Sequence, residues 1–455
     1  MKPVRPPIAA DTGQPQAPPT VTPLTESRAQ DHVAGICFKI GPPRRVGVEL
    51  EWLVQDVRDA AAPVDPARVD AAVESLGLRP DATLPAGSRV TREPGGQVEL
   101  SSPPADSLAD CADTTLRDLG ALRTAFAAHG LRLTGSGTDP HPRPREVVVR
   151  RPRYAAMEEF FARGGPWGKI MMCASASVQV CLDAGTEAPG PLGFRERWRL
   201  VHLLGPVLVA AFANSPLLDG RPTGRRSTRQ AVWERMEASH TLAPAPQGPD
   251  PRQDWARHAL DAELLCVRRP PGRPWTAPSG LTFRDWLRGA GERPATLEDL
   301  DYHLSTLFPP VRPQGHLELR MIDAQPGDGW LIPTALVTAL LDDARAADQA
   351  FAALEPLAGP DPEHPAPRGP LWQRASTHAV ADPALRAAAV ACFAAADAAL
   401  PRLGAPESLR RAVASFAERY PAAGRCPADD QLDALAGRGR PDAGPDLTTQ
   451  EAAPC

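Results

Sequence analysis

The amino-acid sequence predicts an α+β fold, an antiparallel sheet with helices packed on one face and the other face left open and polar. Two observations carry that prediction. Four separate segments alternate apolar and polar residues with a period of two, the signature of half-buried strands, and each keeps a polar face. Helical stretches lie between and after them without the strict strand-helix-strand rhythm that a parallel sheet requires.

The first strand is predicted over Val46 to Leu53, where Val48, Leu50 and Trp52 share one face and Gly47, Glu49 and Glu51 the other. The second, Gly96 to Ser101, follows a Pro-Gly-Gly break. The third runs from Ala174 to Asp183, with Ala174, Ala176, Val178, Val180 and Leu182 opposed by Ser175, Ser177, Gln179, Cys181 and Asp183. The fourth, His316 to Ile322, sets His316, Glu318 and Arg320 against Leu317, Leu319 and Met321. Helices are predicted over Asp106 to Gly130, Arg195 to Asn214, Arg252 to Leu265, Pro333 to Leu354 and Pro383 to Leu400. The most apolar stretch, Val201 to Ala213, contains His202 and Pro206 and is shorter than the ~20 apolar residues that span a bilayer, so it reads as a buried helix.

The chain has 455 residues, 42% hydrophobic and 23% charged, enough to bury a large core without metals or disulfides. Residues 1–28 are rich in Pro, Thr and Gln, and residues 437–455 in Gly, Pro and Asp, without periodicity; both are expected to lack fixed structure around a single folded domain over residues 29–436. Short Pro/Gly insertions near Ala243 to Pro251 and Pro360 to Pro370 read as surface loops. A formal net charge of -5 gives no global attraction to nucleic acid or anionic membrane, and the arginines between Arg143 and Arg153 lack interleaved aromatics beyond Tyr154. Eight cysteines without a CxxC pair imply free thiols in a reducing cytoplasm, and the first thirty residues lack the apolar run of a signal peptide.

The chemistry is expected on the polar strand faces. Glu49 and Glu51, two apart on a strand, put both carboxylates on one face ~7 Å apart, a spacing that suits hard cations, although a solvated strand face reads the same way. Glu93 and Glu99 flank a tight turn whose adjacent glycines permit close backbone approach to a ligand. Glu318 and Arg320 set a carboxylate beside a fixed cation on another strand, the pattern also of a structural ion pair. Five carboxylates with several arginines resemble a site for metals and polyphosphate more than a one-acid, one-base hydrolase.

These residues resemble the glutamate-cysteine ligase family shared by plants and many bacteria. The resemblance rests on Gly47-Val48-Glu49-Leu50-Glu51 and Glu93-Pro94-Gly95-Gly96-Gln97-Val98-Glu99-Leu100-Ser101. It continues through Arg153-Tyr154, Ser177-Val178-Gln179-Val180, Ala213-Asn214-Ser215-Pro216 with Arg229 and Trp233, and Tyr302 to Arg320, collinear over roughly Val46 to Asp343. It implies the glutamine synthetase and guanidino kinase fold, an antiparallel sheet bent into a funnel with helices outside. It also implies an ATP- and Mg2+-dependent ligase joining the side-chain carboxylate of L-glutamate to L-cysteine through a gamma-glutamyl phosphate.

Carried onto this sequence, the family pattern makes Glu49, Glu51, Glu93, Glu99 and Glu318 the metal-binding carboxylates, with Gln179 facing the same ions. Arg229 would hold glutamate with Trp233 and Tyr154 beside it, and Arg320 would meet phosphate or the acceptor carboxylate. A monomer or weak homodimer, no redox switch, and a product destined for ergothioneine, as in dedicated bacterial members, complete the expectation. Cys181 departs from the plant-like pattern, which carries Asn there. The competing readings are a carboxylate-amine ligase of the same superfamily with another acceptor, and a non-catalytic paralogue that binds glutamate or nucleotide.

Overall fold

Alternation in the first predicted strand produces the middle of the sheet. In the computed structural model, which describes residues 24–77, 83–357 and 366–437, strand β1 spans Val46–Asp56. Its residues Val46, Val48, Leu50, Trp52 and Val54 enter the main hydrophobic core, while Glu49 and Glu51 face the opposite way and are half-buried. The following strands are β2 (Arg89–Arg92), β3 (Val98–Ser101), β4 (Leu131–Thr134), β5 (Ser177–Asp183), β6 (Leu217–Leu218), β7 (Arg221–Pro222), β8 (Val311–Pro313) and β9 (His316–Asp323). Among the described residues β6 and β7 form a separate ribbon, and the others make one seven-stranded sheet ordered β2-β3-β1-β5-β9-β8. β4 joins the second half of β1, where β3 has ended. Every pairing is antiparallel.

Register sets the polar face. Glu49 pairs with Ser101 on β3 and with Gln179 on β5, and Glu51 pairs with Glu99. Cys181 lies between Gly47 and Glu318, and β8 brings Arg312 opposite Glu318. Between β5 and β9 the register slips: Val180 pairs with Leu319 but Val178 with Ile322, so β9 carries one residue more than its partner. That bulge keeps Leu319 and Ile322 both against the core and turns Asp323, opposite Ser177, onto the polar face with Glu318 and Arg320.

The apolar face is covered by the helices Leu108–Ala128, Phe194–Ala211 and Leu331–Asp342, which pack on β1, β9 and β5. From Leu331 to Leu341 every residue of the helix Leu331–Asp342 is buried, so it lies between the sheet and further helices. Each Val or Leu buried there stabilises the fold by about 1.5–3 kcal/mol, which is what locks the register that the charged face needs. Among the described residues no single helix is long and apolar enough to cross a membrane.

The predicted elements hold with three corrections at their ends. Ala174 closes the helix Trp167–Ala174, and the strand begins at Ser177, because the apolar run Ile170-Met171-Met172 has helical rather than alternating burial. The helix predicted over 333–354 breaks at Asp343, whose side chain caps a second helix, Ala344–Leu354. A helix, Glu26–Cys37, capped by Thr25, already occupies the last residues of the predicted unstructured segment. Residues 1–23, most of the insertion at 360–370, and all but the first residue of 437–455 lie outside the described residues.

The glycine turn also has a different cause. Gly95 donates its backbone N–H to the Met172 carbonyl at 3.2 Å, and a Cβ on Gly95 would fall 2.3 Å from Cys173 Cα. Its bareness serves the contact with a helix rather than with a ligand. Gln97 tightens the same contact through its amide, donating to the carbonyls of Met172 at 3.2 Å and Ser175 at 2.9 Å. Gly96 takes φ +92°, closing the Glu93–Gly96 turn that presents Glu93. Gly95→Ala is expected to destabilise the protein by about 1–3 kcal/mol through overpacking, read as a lowered midpoint in thermal or urea unfolding. An unchanged midpoint would remove this contact from the forces that hold the turn.

Candidate active site

On the polar face the carboxylates form one electrostatic group. The Glu51 carboxylate accepts bonds from Ser177 Oγ and Gln179 Nε2, both at 3.0 Å, and Glu99 accepts from Thr91 Oγ1 at 2.9 Å and Ser101 Oγ at 3.1 Å. Among the described residues neither carboxylate, nor Glu49, nor Glu93, has an arginine or lysine within ion-pair distance. Burial pushes the Glu49 carboxyl up to about 8, with Glu318 and Glu99 adding to the effect and Arg312 and Arg320 opposing it. Burial does the same to Glu93, again to about 8, reinforced by the charges of Glu99, Glu51 and Glu49. Glu99 is raised by burial and then by Glu51, its strand neighbour, against the bonds from Thr91 and Ser101. Residues from β1, the turn and β3 therefore repel one another in one place, as their alternation predicted.

Glu318 belongs to the other half of the site. Burial would raise its carboxyl, but Arg312 and Arg320 reverse that and bring it down to about 2. Arg312 grips it through two bonds of 2.9 and 2.8 Å, and Arg320 Nη1 donates to the same carboxylate. Arg320 also donates to Gln179 Oε1 at 2.5 Å, so Gln179 stands between the halves, its nitrogen on Glu51 and its oxygen on Arg320. Burial works against the charge of Arg320; Glu318, Glu51 and Glu49 outweigh it and hold the guanidinium above its ordinary value.

Arg229 lies 2% exposed on the short helix Thr228–Trp233. One Nη donates to the Arg320 carbonyl at 2.9 Å, while Nε and the other Nη are buried without a partner. Burial lowers its pKa, against the nearby charges of Asp323 and Glu51. Its guanidinium lies 5.4 Å from the centre of the Trp233 ring, and Trp233 Nε1 is also buried and unpaired. Tyr154 packs into the same aromatic and methionine cluster as Trp233. Burial pushes its hydroxyl up to about 12, and the charge of Glu93 adds to this, which places the ring beside the carboxylates.

Every residue singled out in the sequence thus reaches this face or its margin. Three that were not singled out also do. Arg312 precedes Glu318 on a hairpin too short for alternation to announce. Ser177 was seen only as a polar strand position, yet it donates to Glu51. Asp323, 2% exposed, stands where simple alternation from Glu318 and Arg320 would put Ile322, and only the bulge turns it inward. A charged residue at the end of an apolar run was the one signal available.

Four uncompensated carboxylates on one face are a donor set for hard cations. Among the described residues no three such side chains close around a point by themselves, so an ion held there would take the rest of its shell from water or ligand oxygens. That matches magnesium, which keeps water and phosphate oxygens beside one or two carboxylates. Beside that donor set, free N–H groups on Arg229 and Arg320 offer sites for anions.

Comparison with known proteins identifies the family. A family model described as glutamate-cysteine ligase family 2 matches residues 45–450. The chain is 39% identical over 427 residues to glutamate-cysteine ligase EgtA of Mycobacterium tuberculosis, covering 92% of each protein. It is 40% identical over 422 residues to glutamate-cysteine ligase EgtA of Mycolicibacterium smegmatis, covering 90% of this chain and 92% of that one. A chloroplastic glutamate-cysteine ligase from Medicago truncatula is 31% identical over 245 residues, 52% of this chain and 47% of the relative. Among solved structures, a glutamate-cysteine ligase from Francisella tularensis in complex with AMP superposes with a TM-score of 0.50 at 12% identity, covering 88% of this chain and 87% of that one. That last likeness bears on the fold alone.

The raised carboxyls predict how stability varies with pH. Glu49 and Glu93 titrate near 8 in the folded chain against 4.5 in the unfolded one, so between those values the folded state retains protons that the unfolded state has lost. Stability of the cation-free protein is expected to fall as pH rises through that window and to level off above it. Magnesium competes with those protons and should raise the unfolding midpoint more at pH 8 than at pH 5, by thermal melts with and without the ion. Equal gains at both pH values would overturn the shared carboxylate site.

Proposed function

The chain belongs to glutamate-cysteine ligase family 2, and from that premise we propose how the residues of the site divide the work. The protein is an ATP-dependent ligase that joins the side-chain carboxylate of L-glutamate to the amine of L-cysteine, giving gamma-glutamylcysteine. The observation that carries the assignment of roles is the split of charge across one sheet face. Glu49, Glu51, Glu93 and Glu99 are left without cationic partners at one end, and Arg320 and Arg229 hold free N–H groups at the other.

Glu49, Glu51, Glu93 and Glu99 would hold magnesium, joined by remaining lone pairs of Glu318 and by Gln179 if its amide turns its oxygen from Arg320. Bound magnesium supplies charge neutralisation for the ATP phosphates, without which the acidic floor would repel the nucleotide. Arg229 takes a carboxylate of glutamate, with Trp233 and Tyr154 walling the pocket. Arg320 lies between that carboxylate and the phosphate-binding end, where its charge lowers the repulsion between two anionic reactants. The side-chain carboxylate then attacks the terminal phosphorus of ATP, ADP departs, and gamma-glutamyl phosphate forms. The cysteine amine attacks the acyl carbon, phosphate leaves with the C–O bonding pair, and the nitrogen loses a proton. Arg320 and Arg312 can stabilise the departing phosphate in this order of events, and positioning supplies the rest.

A single catalytic domain over residues 29–436, a cytoplasmic location, action as a monomer or weak homodimer, and a product used for ergothioneine complete the proposal. Purified protein with ATP, magnesium, glutamate and a panel of amino acids is expected to release ADP in a cysteine-dependent way and to yield the gamma-linked dipeptide by mass. Release driven equally by another amine would point to a different acceptor in the same superfamily. Glu51→Gln and Glu99→Gln are each expected to lower kcat by at least about 100-fold, while the circular dichroism spectrum stays native. Because either change removes one charge from a like-charged pair, the cation-free variants should also melt higher than the unaltered protein. Full turnover in either variant would remove that residue from the site.

A further inference from the structure

Behind Arg229 lies a carboxylate that the division of roles above does not use. Asp323 ends β9, is 2% exposed, and reaches the polar face only because of the β-bulge. Its Oδ2 accepts from the Asn214 backbone N–H at 2.9 Å and from Ser215 Oγ at 2.7 Å, and its Oδ1 accepts from Ser227 Oγ at 3.0 Å. Two of these partners also reach the helix that carries Arg229. Ser215 Oγ accepts from the Arg229 backbone N–H at 3.2 Å, and Ser227 caps that helix by accepting from the Gln230 N–H at 3.3 Å. Gly137 closes the remaining side so tightly that a Cβ there would lie 2.4 Å from Asp323 Cγ. The carboxylate cannot swing away.

The distance to Arg229 is the informative quantity. Asp323 Oδ1 lies 3.9 Å from Arg229 Nη1, near enough to compensate the buried charge but too far for a hydrogen bond. A carboxylate in direct contact would occupy the donors that an acid substrate needs. A missing one would leave the buried guanidinium with only the charge of Glu51 to oppose its burial before substrate arrives. We infer that Asp323 is a positioning residue for the acid substrate, neutralising and orienting Arg229 while leaving its Nε and Nη1 free to take the substrate's carboxylate. The inference rests on the reading of Arg229 as the glutamate-binding arginine and adds to it the residue that keeps that arginine available.

The test is a double-mutant cycle on the purified enzyme with Asp323→Asn, Arg229→Lys and the pair. The amide oxygen can keep the bonds from Asn214 and Ser215, so Asp323→Asn removes charge more than shape. KM for glutamate is expected to rise by about 10- to 100-fold with KM for ATP changed less than about 2-fold, and calorimetric binding of glutamate without ATP to weaken in parallel. The pair should be no worse than Arg229→Lys alone within about 3-fold, since both changes act through one guanidinium. An Asp323→Asn enzyme with the original KM for glutamate, or losses that multiply in the pair, would overturn the inference. If Asp323→Asn cannot be purified folded, Ser227→Ala takes its place: a selective rise in KM for glutamate supports the role and an unaltered KM overturns it. Unaltered protein that releases no ADP with glutamate and cysteine would instead overturn the ligase reading itself.

Discussion

The structure depends on like charges being forced together on one side of a sheet. Glu51 and Glu99 are direct partners across two strands, with Glu49 one step away and Glu93 on the adjoining turn. At ~5 Å and an effective dielectric of ~20, each such pair costs roughly 3 kcal/mol when both members are ionised, so no local preference would assemble them. The opposite face does the assembling. Valine and leucine alternating with those glutamates are buried under three helices, and their burial fixes a register in which the acids have no other place to go. The face is therefore costly to the fold without cations, and under the proposed function that cost would favour binding them.

The second half of the face follows from the first. Arginines placed among the four acids would quench the repulsion. They stand instead two and three strands from β1, where Arg320 and Arg312 neutralise Glu318 and Gln179 lies between Arg320 and Glu51. A phosphoryl transfer between two anions needs both kinds of ground within a few ångströms of each other. An antiparallel sheet supplies this at low cost, because side chains on one face lie on a grid of about 5 by 7 Å.

Much of this was legible in the sequence because alternation is local. The period-two pattern of Val46 to Leu53 and His316 to Ile322 placed Glu49, Glu51, Glu318 and Arg320 on polar faces, and the glycine turn marked Glu93 and Glu99 as a unit. What was not legible depends on contacts between distant segments. Gly95 looked like an accommodation to a ligand, and its real neighbour is the backbone of Cys173, seventy-eight residues on. Ala174 continues an alternating string in the sequence but closes a helix, because the methionines before it are buried against Trp233 and its neighbours. Arg312 gains its meaning only once the β8 to β9 hairpin sets it opposite Glu318.

The bulge in β9 joins these observations. A regular strand after Arg320 would bury Asp323 in the apolar core and turn Ile322 toward the charged face, reversing the environment of both. One extra residue restores each to the side its chemistry requires, and it does so beside the carbonyl of Arg320 that receives Arg229. The irregularity thus lets one strand serve two registers. Its first half presents Glu318 and Arg320 on the charged face, and its last residue turns to stand 3.9 Å from Arg229. An interruption of the pairing ladder is a local loss of stability, and its position between the two halves of the charged face is where that loss has a structural return.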